Sequence, residues 1–390
     1  MIYITILWFL IITFTILLIR LLNVQKNIIF CIFISIFILL FLVNLNTCIS
    51  AAIEGCKLWY KSVLPTTFPF LVICNLLIYY DGISLYSKIL GPLICKPLGL
   101  SKNCSFPIVA SFLCGYPLGA KYCVDLYSMK YIETDEYERL LNIASNAGPI
   151  FLIGSVAGTL LGNIFLGYIL LTGNYLSAIL IGLILKKKKC VQNSNSISKP
   201  KTETINFGIA IKNSVQNAIN TIFSIGGFII IFSVIICLVK NNIYICNIFK
   251  HLESLFSLPL GTLYCLFLGS IEMTNGCNLT ASLPLSLNLK LGIISFLCSF
   301  SGLAVIAQVS SFVSETKINY YKYIFFKIVQ GVISFFITYV LFKLIPSSIY
   351  VSKIKVNQYI NVYSYFYPIL ILIFLTIFLK IISKLNHSRN

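Results

Sequence analysis

Apolar runs of bilayer length decide what this chain can fold into. Nine of them stand out, at 2–19, 28–43, 63–80, 143–161, 164–185, 219–239, 289–312, 324–345 and 363–382. A helix needs about 20 apolar residues to cross the hydrocarbon core of a bilayer, and each run comes close to that length. Only 10% of the residues are charged, against about 25% in soluble domains. The runs therefore predict an all-α polytopic membrane protein with about nine spanning helices.

Two further apolar stretches are interrupted. Pro107, Gly115, Pro117 and Gly119 break the stretch 104–120, and Pro259, Gly261, Gly269, Gly276 and Pro284 break 258–285. Such breaks free backbone groups, which membrane depth tolerates only inside protein or beside a watery cavity. Each stretch reads as a re-entrant hairpin.

The chain also repeats itself. Phe112-Leu113-Cys114-Gly115 recurs as Leu266-Phe267-Leu268-Gly269, and Ser145-Asn146-Ala147-Gly148 as Ser299-Phe300-Ser301-Gly302, both at a shift of 154 residues. One shift for both matches predicts a duplicated unit. Each unit has three crossings around its hairpin, an odd count, so the two copies enter the membrane from opposite sides. That is an inverted repeat, common in secondary transporters. The expected division is an N-terminal transmembrane hairpin (1–47), a first repeat (48–185), a basic linker (186–206), a second repeat (207–345), and a C-terminal transmembrane helix with its tail (346–390).

Charge orients this scheme. The net charge is +18, but the basic residues gather in short segments between apolar runs. This is the positive-inside pattern, reinforced by attraction to anionic lipid, and not a nucleic-acid surface. Lys186–Lys189, with Lys199 and Lys201, mark a cytoplasmic linker, and the tail carrying Lys380, Lys384 and Arg389 is cytoplasmic too. Lys240, Lys250, Lys353 and Lys355 fall outside, against the trend. Residues 1–19 lack a basic start and a small-residue cleavage site, so they read as a retained span. Most of the fourteen cysteines lie in apolar runs, where a thiol acts as a small apolar group. Amphipathic stretches at 51–62 and 209–220 suit either the interface plane or protruding span ends. Segment 132–142 reads as a solvated connector helix, capped by Thr134 and carrying an Asp135–Arg139 pair.

Charged groups are expensive at membrane depth, which singles out Glu272 midway through the second hairpin. It reads either as a carboxylate at a water-exposed tip or as a ligand, proton or sodium site facing a cavity. The best candidates to line a solute cavity are Asn146, Glu272, Asn275 and Gln308, with Tyr116 and Lys121 flanking them on the first hairpin. No cofactor or metal is expected beyond a coupling proton or sodium ion. The motifs of metal, phosphate-loop and nucleophilic catalysis are missing, so an enzyme is not expected. The partners are the lipid bilayer and a small polar solute, with self-association of copies left open.

At Phe68-Pro69-Phe70, Cys114-Gly115-Tyr116-Pro117-Leu118-Gly119-Ala120-Lys121, Ser145-Asn146-Ala147-Gly148-Pro149, Leu268–Gly276 and Phe300-Ser301-Gly302-Leu303 with Gln308, the sequence resembles the YlbJ family of sporulation integral membrane proteins. That family carries nucleoside-recognition (Gate) domains, and the resemblance covers about residues 51–345. It implies two Gate-like halves and a multi-pass protein of an endospore former, needed for spore cortex formation. The implied location is the mother-cell membrane or the outer forespore membrane. Through likeness of the Gate domain to concentrative nucleoside transporters, it also implies carriage of a small polar, nucleoside-like solute. A non-transporting scaffold that recruits spore-envelope enzymes is the alternative.

Overall fold

A computed structural model describes residues 26–186, 206–313 and 318–344, and every element among them is helical. The expected spans 2–19 and 363–382 lie outside the described residues, as do Lys187–Lys189, Lys199, Lys201, Lys353, Lys355 and the tail.

Two series of helices follow one another in the same order. In the first, α1 (Lys26–Val43) turns through 99° into α2 (Leu45–Leu58). A wide turn at Trp59–Val63 leads to α3 (Leu64–Tyr79), whose start holds Pro65, where a missing N–H is harmless. Short helices α4 (Gly82–Ile89) and α5 (Gly91–Leu98) precede a helical hairpin, α6 (Ser105–Cys114) and α7 (Leu118–Ser128). Next come α8 (Thr134–Ile143), an unwound stretch at 144–148, a π-wound segment π1 (Ile150–Leu160), and α9 (Ile164–Ile184). The second series runs α10 (Phe207–Lys240), α11 (Ile243–Leu255), a hairpin of α12 (Thr262–Ile271) and α13 (Met273–Ser282), a broken pair α14 (Leu287–Phe300) and α15 (Gly302–Val313), then α16 (Tyr320–Leu344).

Element for element, α2–α3 answer to α10, α4–α5 to α11, α6–α7 to α12–α13, α8–π1 to α14–α15, and α9 to α16. The contacts are reciprocal. Counterparts α2–α3 and α10 pack together, as do α9 and α16, while α7 touches α15 and α13 touches π1. Two similar units facing each other produce this exchange of neighbours.

Among the described residues, four helical stretches are long and apolar enough to cross a membrane: α9, α10, α14–α15 and α16. The count rises to six if each bent pair is one span. Two expected spans are not continuous helices. The run 143–161 is unwound before Pro149, which has no N–H to donate. The run 289–312 breaks at Ser301 and Gly302, both at φ +76°. The amphipathic stretch 209–220 is not separate either, because it forms the first turns of the 34-residue α10.

The connector reading of 132–142 also changes. Helix α8 buries Glu136, Tyr137, Arg139, Leu140 and Leu141. Arg139 donates to the Gly99 carbonyl at 3.0 Å and pairs with Asp135 at 3.6 Å, and Glu136 accepts the N–H of Ser101. Its N-cap is Glu133, without a side-chain cap bond, and Thr134 instead meets the Tyr127 hydroxyl at 3.1 Å. In the second half the buried Glu253 does a related job, accepting the N–H groups of Gly261 (2.6 Å) and Tyr264 (3.1 Å). Both acids fix the approach to a hairpin. Outside, large apolar side chains stand exposed on α1 (Phe30, Phe33, Leu39) and α16 (Phe325, Phe336), a surface suited to lipid.

Candidate functional site

The tips of the two hairpins meet. Helix α6 ends at Gly115, whose φ of +84° is open to glycine but strained for other residues. That turn throws Tyr116 across to the other half. Its hydroxyl donates to the Cys298 carbonyl of α14 at 2.7 Å and lies 2.6 Å from the sulfur of Met273, the first residue of α13. Tyr116 stays half-buried.

The tip of the second hairpin is organised by Glu272. Its carboxylate accepts the N–H groups of Thr274 and Asn275, each at 2.9 Å, and the Asn275 side-chain amide at 2.9 Å. Glu272 thus serves as the N-cap of α13, where an anion is favoured by the orphan N–H groups and the helix dipole. Glu272 and Asn275 are both half-buried, so the tip keeps a polar, negatively charged face that is not sealed.

Each tip sits on the break of its own half. A Cβ on Gly115 would stand 2.8 Å from the Gly148 Cα, and one on Gly148 would stand 2.7 Å from the Cys114 carbonyl. In the second half a Cβ on Gly302 would come within 3.1 Å of the Gly269 carbonyl. The glycine pairs matched by sequence are therefore neighbours in space within each half. Close approach of backbone to backbone is the physical reason for glycine at these positions.

The first break is held by buried side chains. Asn146 is 0% exposed and its side-chain groups are taken up. Its Nδ2 donates to Ile143 O (2.7 Å) and Ser111 Oγ (3.2 Å), and its Oδ1 accepts from Gln330 at 2.9 Å. The Asn146 carbonyl accepts the Tyr116 N–H at 2.7 Å. Lys327, also 0% exposed, donates to the Ser145 carbonyl at 2.6 Å and to Gln330 Oε1 at 2.7 Å. Ser145 Oγ bonds the Tyr323 hydroxyl at 2.9 Å. At the second break, Asn174 of α9 donates to Ser299 Oγ at 2.9 Å, while Asn174 Oδ1 and Ser301 Oγ are buried without a hydrogen-bond partner.

Of the six residues proposed from sequence, Tyr116, Glu272 and Asn275 come together at the hairpin tips, and Asn146 sits directly beneath Tyr116. Gln308 is buried on α15 and makes no side-chain hydrogen bond to another described residue. Lys121 turns along its own helix, paired with Asp125 at 2.7 Å and 4.9 Å from the Tyr122 ring centre. Sequence reading overlooked Tyr323, Lys327 and Gln330. The available signal was a lysine inside an apolar run with a glutamine three residues on, on the same helical face.

Residues 60–144 match the family model described as Gate, nucleoside recognition. The matched segment contains the first hairpin and ends where the first break begins. Over 303 residues, covering 72% of this chain and 74% of the relative, the sequence is 28% identical to the sporulation integral membrane protein YlbJ of Bacillus subtilis (strain 168). A solved chain of CNTnw in an outward-facing state aligns with a TM-score of 0.45 and 15% identity, covering 79% of this chain and 83% of that one, which is too distant to bear on the site. The chain is thus a homologue of a sporulation integral membrane protein and carries a Gate nucleoside-recognition match in its first half.

Proposed function

We propose that this chain carries a small polar solute, nucleoside-like in its hydrogen-bonding groups, across the membrane of a sporulating cell. The observation that supports it most is the meeting of Tyr116 with the Glu272–Asn275 tip. The two hairpin tips meet there through half-buried polar groups, each seated on a broken helix, and membrane carriers hold their solutes at discontinuous helices of this kind. A carboxylate at the start of α13 already occupies the place an anion would take. The tip therefore selects against anionic solutes and in favour of hydroxyl and amine donors, such as the sugar edge of a nucleoside. Gln308 adds an uncommitted amide, and Asn146 shapes the floor. Glu272 is also where a coupling proton or sodium ion would act.

In this reading the two Gate-like halves are residues 48–185 and 207–345, inverted about the membrane plane, with the C-terminus cytoplasmic. The role is non-enzymatic and serves cortex formation from the mother-cell or outer forespore membrane. The test is uptake into proteoliposomes of a labelled panel of nucleosides, amino acids and wall precursors. Nucleosides should accumulate, and Glu272→Gln should reduce the rate. No accumulation of any compound overturns carriage and favours a scaffold that recruits envelope enzymes.

A further inference from the structure

A buried lysine without an acid is the least expected group in this protein. Lys327 lies inside α16, is 0% exposed, and joins none of the ion pairs among the described residues. An ammonium ion in such surroundings gives up its hydration, a loss that is costly unless oxygen atoms replace its water. Two oxygens do so here: the Ser145 carbonyl at 2.6 Å and Gln330 Oε1 at 2.7 Å. Both are held in place. Ser145 lies in the unwound stretch 144–148, where its carbonyl has no helical N–H to accept, and Gln330 is anchored by its donation to Asn146 at 2.9 Å.

Unwound carbonyls of broken membrane helices are where carriers of this architecture hold free monovalent cations. In this chain the side-chain nitrogen of Lys327 already stands against that carbonyl. We propose that the Lys327 ammonium is a tethered cation, filling the first-half break in place of a free monovalent ion and locking α16 of one half to the broken helix of the other. The related helix α9 reaches the second break with the neutral Asn174, whose amide donates to Ser299. The two breaks thus differ in the group that meets them, a lysine nitrogen at the first and a neutral amide at the second. The first is complete whatever salt surrounds the protein, and any coupling ion acts elsewhere. This inference does not depend on solute carriage, because its test reads stability.

The experiment uses the purified full-length protein in detergent, with the variants Lys327→Ala and Lys327→Met. Thermal unfolding is followed in choline chloride and then, at matched ionic strength, in sodium, ammonium and methylammonium chloride, each against the parent in the same salt. Both variants should melt below the parent in choline chloride. K327A, which leaves space for a small cation, should regain at least half of its loss in one of the small-cation salts, in a saturable manner, whereas K327M should regain none. Either variant matching the parent in choline chloride overturns the proposal, as does K327A that no small cation restores or K327M restored equally well. If the variants do not accumulate, yield is read instead, with ammonium chloride present during growth and extraction. Recovery of K327A alone then supports the proposal, and any other result overturns it. Lost solute uptake with intact rescue would sink the carrier reading and leave this one standing.

Discussion

The Tyr116 hydroxyl donates to the carbonyl of Cys298 at 2.7 Å, joining the tip of the first hairpin to a helix of the opposite half. Tyr116→Phe removes this bond and keeps the ring. A typical buried hydrogen bond contributes about 1 kcal/mol net, and leaving its acceptor bare costs about 1–3 kcal/mol. Denaturant or thermal unfolding of purified protein should show a loss in that range. Uptake should change more than stability, because the contact closes the gap between the tips.

Gly115→Ala should be more damaging. The new Cβ would meet the Gly148 Cα at 2.8 Å and hold a φ of +84°, and strain of this kind costs about 1–3 kcal/mol before any clash is added. Reduced yield and a lowered melting temperature check it, with Gly154→Ala, whose Cβ meets nothing within 4 Å, as the control.

Asn146 and Gln308 should behave differently, although sequence reading grouped them. Asn146→Ala strands Gln330 Nε2 and Ser111 Oγ in a buried network and should lower stability by about 2–3 kcal/mol. Gln308→Leu removes an amide that makes no hydrogen bond to another described residue, so unfolding should stay within about 1 kcal/mol of the parent. Its effect should fall on uptake, visible as a raised KM.

Glu272→Ala removes the α13 cap. Loss of an N-cap costs about 0.5–2 kcal/mol, and hydrogen exchange at Thr274 and Asn275 should speed up first. Glu272→Gln keeps one acceptor oxygen and should fall between Ala and the parent in stability. If the charge selects the solute, the Gln variant should also lose discrimination against anionic compounds.

Inverted halves place matching surfaces on opposite sides of the membrane. Exposed Lys96 on α5 and Lys250 on α11 are counterparts, so Lys96→Cys and Lys250→Cys should react with an impermeant thiol reagent from opposite compartments. Labelling of both from one side would remove the inversion.

The sequence made much of this legible because breaks in membrane helices have few causes. Gly115 and Pro117 marked the tip of the first hairpin, whereas the break at Ser301 and Gly302 fell inside a run read as one continuous span. The glycines matched by the constant shift make a like pair of contacts in each half, Gly115 with Gly148 and Gly269 with Gly302. Helix α8 was misread because its polar residues resemble a solvated face, whereas Glu136 and Arg139 are buried and bond backbone groups from a distant turn. Asn275 was read as a residue lining the solute cavity, and the sequence did not show that its amide turns back onto Glu272. Lys327 escaped notice because the apolar run around it is long enough to absorb one charge in any window average. Its meaning depends on Ser145, 182 residues away in sequence. Local periodicity reports what an element is, and only packing reports whom it serves.

Between Gly115 and Gly148 no side chain intervenes, and the two main chains lie directly against each other. There is no cushion to absorb movement at that seam. A push on the first hairpin is therefore handed on undamped to the broken segment, and the pair works as a lever and its fulcrum.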